Sequence, residues 1–243
     1  NLLDVCKILN KNSVIGEKAG GHIHVGTQTI GGNKDYWLNF IKLWSTYENI
    51  IFRFSYGEYL SYRPTLDEYA KTVSKRFLKV YKKLVGNEKI DAYDIVKKLS
   101  INRYQAVNFE NVMNLDEKIE GNTIEFRCPN ASLNPVIWQN NVNFFIKFLD
   151  YSKNKEFNND IVEKRIRNKD NSYYDIALYD EIYLDQALEL ADILFDNNLD
   201  KVYLQMLTYK SKKEVLCKYV FLGKSNFLEI QFSKVDFPDP LLP

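Results

Sequence analysis

The spacing of apolar residues along the chain changes repeatedly between the period of a helix and the period of a strand. Apolar side chains three and four positions apart predict helices over residues 1–12, 34–54, 67–85, 133–149 and 183–195. Alternating apolar and polar positions predict strands at 22–25 and 123–128, and a strand or strand-loop at 101–109. A polar connecting segment, short β-like runs and an extended tail complete the pattern at 151–172, 215–235 and 238–243. The sequence thus predicts an α+β protein.

Two of the predicted helices carry start signals and a defined inward face. Thr65 and Glu68 have the spacing of a capping box, which predicts that one helix spans Asp67 to Val85. Leu133-Asn134-Pro135 opens the helix that runs to Leu149. The residues expected to be buried are Val73, Phe77, Val80 and Leu84 on the first helix and Val142, Phe145, Ile146 and Leu149 on the second.

A glycine-rich stretch contains the strongest local motif of the chain. Six of the ten glycines fall between residues 16 and 32, and Gly-Gly-His-Ile-His-Val-Gly occupies 20–26. Side chains on a strand alternate between its two faces. His22 and His24 are therefore expected on one face of a sheet, with the two aliphatic residues between and after them on the other.

A second strand pairs a carboxylate with a guanidinium. The same alternation puts Glu125 and Arg127 on one face of the segment 123–128. If the two strands are neighbours, two imidazoles, a carboxylate and an arginine converge. Imidazoles and a carboxylate bind divalent metal ions, and arginine supplies a fork for phosphate or carboxylate. Such a set suits phosphoryl chemistry. The alternative interpretation is structural: a half-buried polar face and an ion pair.

Composition and charge restrict the classes of function. The 243 residues are 45% hydrophobic and 27% charged, with a formal net charge of +1. That is enough apolar material for a sizeable core, and a charge near zero argues against capture of nucleic acid by the bulk field. No run of 18 apolar residues predicts a membrane span. Three widely separated cysteines indicate reduced thiols, and we expect a cytoplasmic location.

The small number of histidines limits the metal and nucleophile chemistry. His22 and His24 are the only two histidines in the sequence. A metal shell here must be completed by carboxylates and water, which favours Mg²⁺, with Mn²⁺ as the second candidate, over Zn²⁺. Cys128 follows the Glu-x-Arg strand, but no further histidine is present to activate it as a nucleophile.

Three arginines and an asparagine are further candidates for binding. In Asn102-Arg103-Tyr104-Gln105-Ala106-Val107-Asn108, Arg103 is a candidate for bridging phosphates and Asn108 for orienting a substrate. Arg53 and Arg63 flank an aromatic run and are candidates for clamping a substrate carboxylate. An ordinary solvated role is the alternative for each arginine, and the sequence alone does not decide between them.

These motifs together resemble those of the amidoligase family, a branch of the carboxylate–amine ligases with a glutamine-synthetase-like fold. The resemblance rests on the glycine–histidine motif at 20–26, Arg-Tyr-Gln-Ala-Val-Asn-Phe at 103–109, Thr-Ile-Glu-Phe-Arg at 123–127 and Leu-Asn-Pro at 133–135. Their order and spacing also agree with the family. The resemblance covers about residues 1–150 well and the remainder of the chain only weakly.

The resemblance implies a role for most of the candidate residues. His22 and Glu125 would be metal ligands, and His24 would meet the nucleotide or its phosphates. Arg127 and Arg103 would bind ATP and hold the phosphate during transfer. Arg53 would be a weaker candidate for phosphate or for the substrate carboxylate. ATP with Mg²⁺ would phosphorylate a carboxylate, and an amine would attack the resulting acyl phosphate to form an amide or peptide bond.

The resemblance also implies an organisation of the chain. The fold would be α+β, with a largely antiparallel glutamine-synthetase-like sheet, packed helices and a helical extension. Residues 1–150 would form the C-terminal portion of the catalytic domain, and 151–243 the extension packed on it. The family's opening Glu-x-Glu strand has no counterpart before Gly20, where only Asp4 and Glu17 are acidic. We therefore expect missing N-terminal strands, doubtful activity of the fragment alone, and association through an exposed sheet edge or a missing segment.

Two other classes of function stay open at this point. One is a non-catalytic binding or assembly module that keeps the ligase fold. The other is a nucleic-acid binder that uses lysines along the helix at 67–85, and it is ranked last because no stacking aromatic motif accompanies them. For the ligase, the expected partners are a small-molecule or peptide carboxylate and an amine, with no membrane.

Overall fold

The computed structural model describes residues 2–16, 18–57, 63–113, 115, 122–154 and 181–209. All of these belong to one unit, which spans residues 1–210. The predicted β-like runs at 215–235, the tail at 238–243 and most of the connecting segment at 151–172 lie outside the described residues.

Helices and a small sheet make up the described part of the chain. The helices are α1 (Leu2–Asn12), α2 (Lys34–Ser55), α3 (Leu66–Tyr69), α4 (Ser74–Leu84), α5 (Ala92–Leu99), α6 (Pro135–Tyr151), α7 (Glu181–Leu194) and α8 (Asn198–Tyr209). The strands are β1 (Ile23–Gly26), β2 (Val107–Asn108) and β3 (Thr123–Phe126). A single 3₁₀ turn, Thr27–Thr29, follows β1.

The sheet is antiparallel, with β3 between the other two strands. The order is β1-β3-β2, and both neighbours run antiparallel to β3. This confirms the α+β class. A glutamine-synthetase-like arrangement remains a prediction, as does association through a sheet edge.

Helix α2 lies at the centre of the core behind the sheet. Its residues from Trp37 to Ser55 are buried, with the single exception of Asn39, which is half-buried. Trp44 of α2 stacks on Phe126 of β3, with ring centroids 5.8 Å apart and planes at 19°. Phe145 of α6 stacks on the same ring at 4.1 Å and 12°. Such contacts add to the apolar burial that fixes β3 against the two helices.

The helix predicted over 67–85 is wrong, because the structure divides it into α3 and α4. The chain leaves helical geometry at Ala70, and Lys71 forms a parallel bridge with Gln105. Glu48 of α2 supplies the cap of α4: its carboxylate accepts the backbone N–H of Val73 at 2.7 Å. Glu68 belongs to α3 and is exposed. A buried carboxylate from another helix thus replaces the predicted local cap.

The inward face of α6 also differs in part from the prediction. Phe145 and Leu149 are fully buried as expected, but Val142 is 38% and Ile146 43% exposed. The residues that occupy the core in their place are Phe144 and Phe148. Helical periodicity allows either face here, and the pairing of aromatic rings between α6, α2 and β3 selects one of them.

The last two described helices pack on the rest of the unit. Both α7 and α8 contact α2, and α7 also contacts α6. The hydroxyl of Tyr47 in α2 donates to Oε1 of Glu189 in α7 at 2.5 Å. The division into domains at residue 150 stays a prediction. Among the described helices, none combines the length and the apolar character that a membrane span requires.

Candidate active site

The sheet brings the two predicted motifs together around one carboxylate. In the register of β1 and β3, His24 lies directly opposite Glu125. Nδ1 of His22 is 3.0 Å from Oε1 of Glu125, and Nε2 of His24 is 3.8 Å from the same oxygen. Cross-strand neighbours on one face lie within reach of each other. The convergence expected from alternation along two separate strands is therefore confirmed.

The carboxylate of Glu125 is enclosed by two further donors. Nη1 of Arg127 donates to Oε1 at 2.7 Å. Nδ2 of Asn108, directly opposite Glu125 in the register of β2 and β3, donates to Oε2 at 2.7 Å. The side chains of Glu125 and Arg127 are only 8% and 10% exposed. Both oxygens are thus satisfied, as a buried charge requires.

Each histidine presents a different ring nitrogen to Glu125. The Nδ1 atom of His24 is hydrogen-bonded to Oγ1 of Thr123 at 3.2 Å, which leaves Nε2 towards the carboxylate. His22 uses Nδ1 instead. Partial burial, followed by the charge of Arg127, lowers the pKa of His22 below its usual value of 6.5. His22 is accordingly neutral at pH 7, the form that binds metal ions.

Arg127 is held in place by a contact beyond the sheet. Its Nε donates to the backbone carbonyl of Tyr69, at the end of α3, at 3.0 Å. Arg103 lies in the solvent-exposed loop before β2, where its Nη2 donates to the hydroxyl of Tyr104 at 3.3 Å. That hydrogen bond raises the pKa of Arg103, and the charges of Glu110 and Glu125 contribute. Arg103 therefore stays charged at the rim of the cluster.

Two glycines and Arg63 fix the path of the chain into β1. A Cβ at Gly20 would lie 2.8 Å from Cζ of Arg63, and one at Gly21 would lie 2.3 Å from a ring atom of Trp138. A side chain at Gly21 would collide with the Trp138 ring, and one at Gly20 would displace the Arg63 guanidinium. Arg63 is 4% exposed and donates to the carbonyls of Arg127 at 2.8 Å and Pro129 at 2.6 Å. Arg63 is therefore buried and not solvated, and its candidacy for a substrate carboxylate stays a prediction.

Arg53 and Cys128 are placed in the interior. Arg53 is 1% exposed on α2, with its guanidinium 5.5 Å from the centre of the Tyr56 ring. Its candidacy for a substrate carboxylate stays a prediction without support from this placement. Burial raises the pKa of the Cys128 thiol to about 12. The thiol is therefore protonated at neutral pH, in agreement with the expectation that it is not a nucleophile.

Sequence reasoning missed two residues beside the cluster. Thr123 shares the face of Glu125, a position that the alternation of the strand would have revealed. Tyr69 was assigned to the first turn of a continuous helix over 67–85, so its approach to Arg127 had no sequence signal. The predicted residues that the structure brings together are His22, His24, Asn108, Glu125 and Arg127, with Arg103 at the rim.

The cluster offers only part of the donor set that a metal shell would need. Within the described ranges, no group of three or more His, Cys, Asp or Glu side chains has a geometry that would hold a metal ion. His22 and Glu125 offer one imidazole nitrogen and a carboxylate, a donor pair that fits a divalent cation. Oε1 of Glu125 is shared with Arg127. Water and phosphate oxygens would have to complete the shell, which is how Mg²⁺ is usually bound.

Comparisons with known proteins give one match. The sequence matches the model of the family described as "Putative amidoligase enzyme" over residues 2–149, more than half of the chain. The comparisons with curated proteins and with solved structures give no significant match. The matched range contains β1, β2 and β3 and every candidate residue of the cluster. The chain belongs to the amidoligase family.

Proposed function

We propose that this protein is an ATP- and Mg²⁺-dependent carboxylate–amine ligase that forms an amide or peptide bond through an acyl phosphate. The observation that supports the proposal most directly is the meeting of His22, His24 and Arg127 at one oxygen of Glu125. A guanidinium, two imidazoles and a carboxylate thus lie close together, which supports a role in phosphoryl transfer, where charge stabilisation does most of the catalysis. The membership of the family supports a ligase role.

Each side chain has a role that follows from its chemistry and its surroundings. His22 and Glu125 would hold the cation, because one is a neutral imidazole and the other a carboxylate within 3.0 Å of it. Bound Mg²⁺ would neutralise charge on the phosphates. Arg127 and Arg103 would bind phosphate oxygens, and His24 would donate to the nucleotide. Asn108 would orient Glu125 or the substrate.

The reaction would balance in two steps. A carboxylate oxygen of the first substrate attacks the γ-phosphorus of ATP, the bond to the bridging oxygen breaks, and ADP leaves. The amine then attacks the acyl carbon, the C–O bond to phosphate breaks, and inorganic phosphate leaves as the amine nitrogen loses a proton. No covalent enzyme intermediate is needed, so the side chains act by position and charge. The substrates would be a small-molecule or peptide carboxylate and an amine, in the cytoplasm.

A non-catalytic binding or assembly module is the second candidate. The hydrogen bonds of Glu125 favour this candidate, because Arg127 and Asn108 already satisfy both carboxylate oxygens. A module of this kind would keep the ion pair as a structural element. It would bind a protein partner and have weak or no affinity for Mg-ATP.

Calorimetric titration with Mg-ATP separates the two candidates. The chain, Glu125→Ala and His22→Ala would be compared with Glu68→Ala, an exposed carboxylate on α3. The ligase predicts micromolar binding that both site variants lose and the control keeps. Screening acid and amine pairs for amine-dependent phosphate release then identifies the substrates. Absence of Mg-ATP binding by the folded chain would contradict the ligase.

A further inference from the structure

We propose that Tyr69 and Tyr104 form a stacking surface for the nucleobase of the triphosphate, with Arg103 at its edge. The inference rests on the proposed ATP-dependent function and deepens it by naming the groups that bind the base. It concerns residues of α3 and of the loop before β2, outside the cluster around Glu125.

The two rings form an exposed aromatic pair. Tyr69 is 44% and Tyr104 36% exposed. Their centroids are 5.8 Å apart and their planes meet at 60°, an edge-to-face contact. In this geometry the edge of one ring meets the face of the other, so neither ring is covered on both faces by its partner. Because the Arg103 guanidinium lies over the Tyr104 ring, a planar ligand would stack on a ring face that neither the partner ring nor this guanidinium covers.

Backbone hydrogen bonds fix this pair to the candidate active site. Nε of Arg127 donates to the backbone carbonyl of Tyr69 at 3.0 Å. The N–H of Lys71 donates to the carbonyl of Tyr104 at 2.9 Å, and the N–H of Ala106 to the carbonyl of Lys71 at 2.8 Å. The backbone of both tyrosines is thereby tied to the chain around β2 and β3. A ligand would have to order the two side chains but not the segments that carry them.

The charges around the pair favour a base that carries phosphate. The Arg103 guanidinium is 5.3 Å from the centre of the Tyr104 ring and hydrogen-bonded to its hydroxyl. Arg127 is joined to Tyr69 through the backbone. Two guanidinium groups next to an aromatic pair attract a planar group attached to a polyanion. A neutral aromatic side chain of a substrate would gain the stacking but not the charge.

The test compares ligands with and without a base. Calorimetry would measure binding of Mg-ATP and of Mg-tripolyphosphate to the chain, Tyr69→Leu and Tyr104→Leu. Tyr69→Leu keeps the hydrogen bond from Arg127, because its acceptor is the backbone carbonyl of residue 69. The matched control is Tyr93→Leu on α5, where Lys97 lies 4.3 Å from the ring centre in a similar cation–π pair.

We expect each site variant to weaken Mg-ATP about tenfold and to leave tripolyphosphate unchanged, since stacking of a base on an aromatic ring has that magnitude. Tyr93→Leu should change neither ligand. An equal loss for both ligands, or no loss for ATP, would overturn the stacking surface while leaving the ligase in place. A chain that binds neither ligand would instead contradict the proposed function on which the surface depends.

Discussion

Nη1 of Arg127, the residue directly after β3, lies 2.7 Å from Oε1 of Glu125, two positions earlier in the chain. Because both side chains are nearly excluded from water, each depends on the other for compensation of its charge. The same carboxylate is the centre of the candidate active site. The pair therefore contributes to the stability of the sheet and to the chemistry proposed for it.

Removing one partner of this pair should cost more than removing both. Arg127→Met leaves Glu125 buried without its counter-charge, and we expect the free energy of unfolding to fall by about 3–5 kcal/mol. Arg127→Met combined with Glu125→Gln should recover part of the loss. Urea unfolding of the two single variants and the double variant measures the coupling. Additive effects would show that the pair is not coupled.

The same guanidinium should compete with a divalent cation for Glu125. Arg127→Gln removes a positive charge from Oε1, so the affinity for Mn²⁺ should rise about tenfold. Electron paramagnetic resonance of free Mn²⁺ measures this without any turnover. Arg76→Gln removes an equal charge from the surface of α4 and should have no effect. Unchanged or weaker binding in Arg127→Gln would contradict the competition.

The cap of α4 should depend on a residue from another helix. Oε1 of Glu48 accepts the N–H of Val73 at 2.7 Å and the indole N–H of Trp44 at 2.9 Å, and the side chain is fully buried. Glu48→Gln leaves one acceptor oxygen, so the new NH₂ opposes either these two donors or the N–H of Ser74, which lies 3.3 Å from Oε2. We expect unfolding free energy to fall by about 1–3 kcal/mol.

Glu68→Ala is the control for this cap, since the sequence assigned Glu68 to a capping box. The residue is exposed on α3, so its replacement should change stability by less than about 0.5 kcal/mol. Thermal and chemical unfolding of the two variants gives the comparison. Equal losses of stability in the two variants would support the local capping box and contradict the role of Glu48.

Ionisation of Cys128 should lower stability at high pH. Burial raises the pKa of its thiol from 9.0 to about 12 in the folded chain. Between these values the unfolded chain loses a proton that the folded chain retains, so stability falls as pH rises above about 9, by ~1.4 kcal/mol per unit. Stability below pH 9 is unaffected by this group.

Cys128→Ser isolates this contribution. The unfolding free energy of the variant should depend less steeply on pH between 9 and 11 than that of the native chain. The comparison uses the slope of unfolding free energy against pH, because the substitution also changes packing and with it the absolute stability. In the native chain Cys128 should resist alkylation at pH 8, and it should react once urea unfolds the protein. Identical slopes, or rapid alkylation of the native chain at this position, would contradict the buried thiol.

The local order of residues in the sequence determined which groups share a face of the sheet. Alternation along β1 and β3 was sufficient to predict that His22 and His24, and separately Glu125 and Arg127, lie side by side. That inference needs only the two-residue period of a strand. The long apolar stripe of α2 was equally clear, because a helix buried almost all round leaves little ambiguity.

Tertiary structure decided what local patterns leave open. Ala70 ends α3 and Glu48 caps α4 from a distance in sequence, so no capping motif near residue 67 revealed the break. The inward face of α6 was selected by ring contacts with α2, which Phe144 makes with Phe54 and Phe148 makes with Phe40. Such contacts join residues far apart in the chain, and their energies exceed the local propensities that sequence patterns report.

The candidate active site shows the same division. The sequence by itself determined the chemical groups, and a two-residue period determined which of them share a strand face. Only the pairing of β1 and β2 with β3 decided that His22, His24 and Asn108 meet at Glu125. Strand pairing depends on hydrogen bonds between segments that are distant in the chain. A single sequence shows which residues form each segment, but it does not show which residues of two segments lie opposite each other.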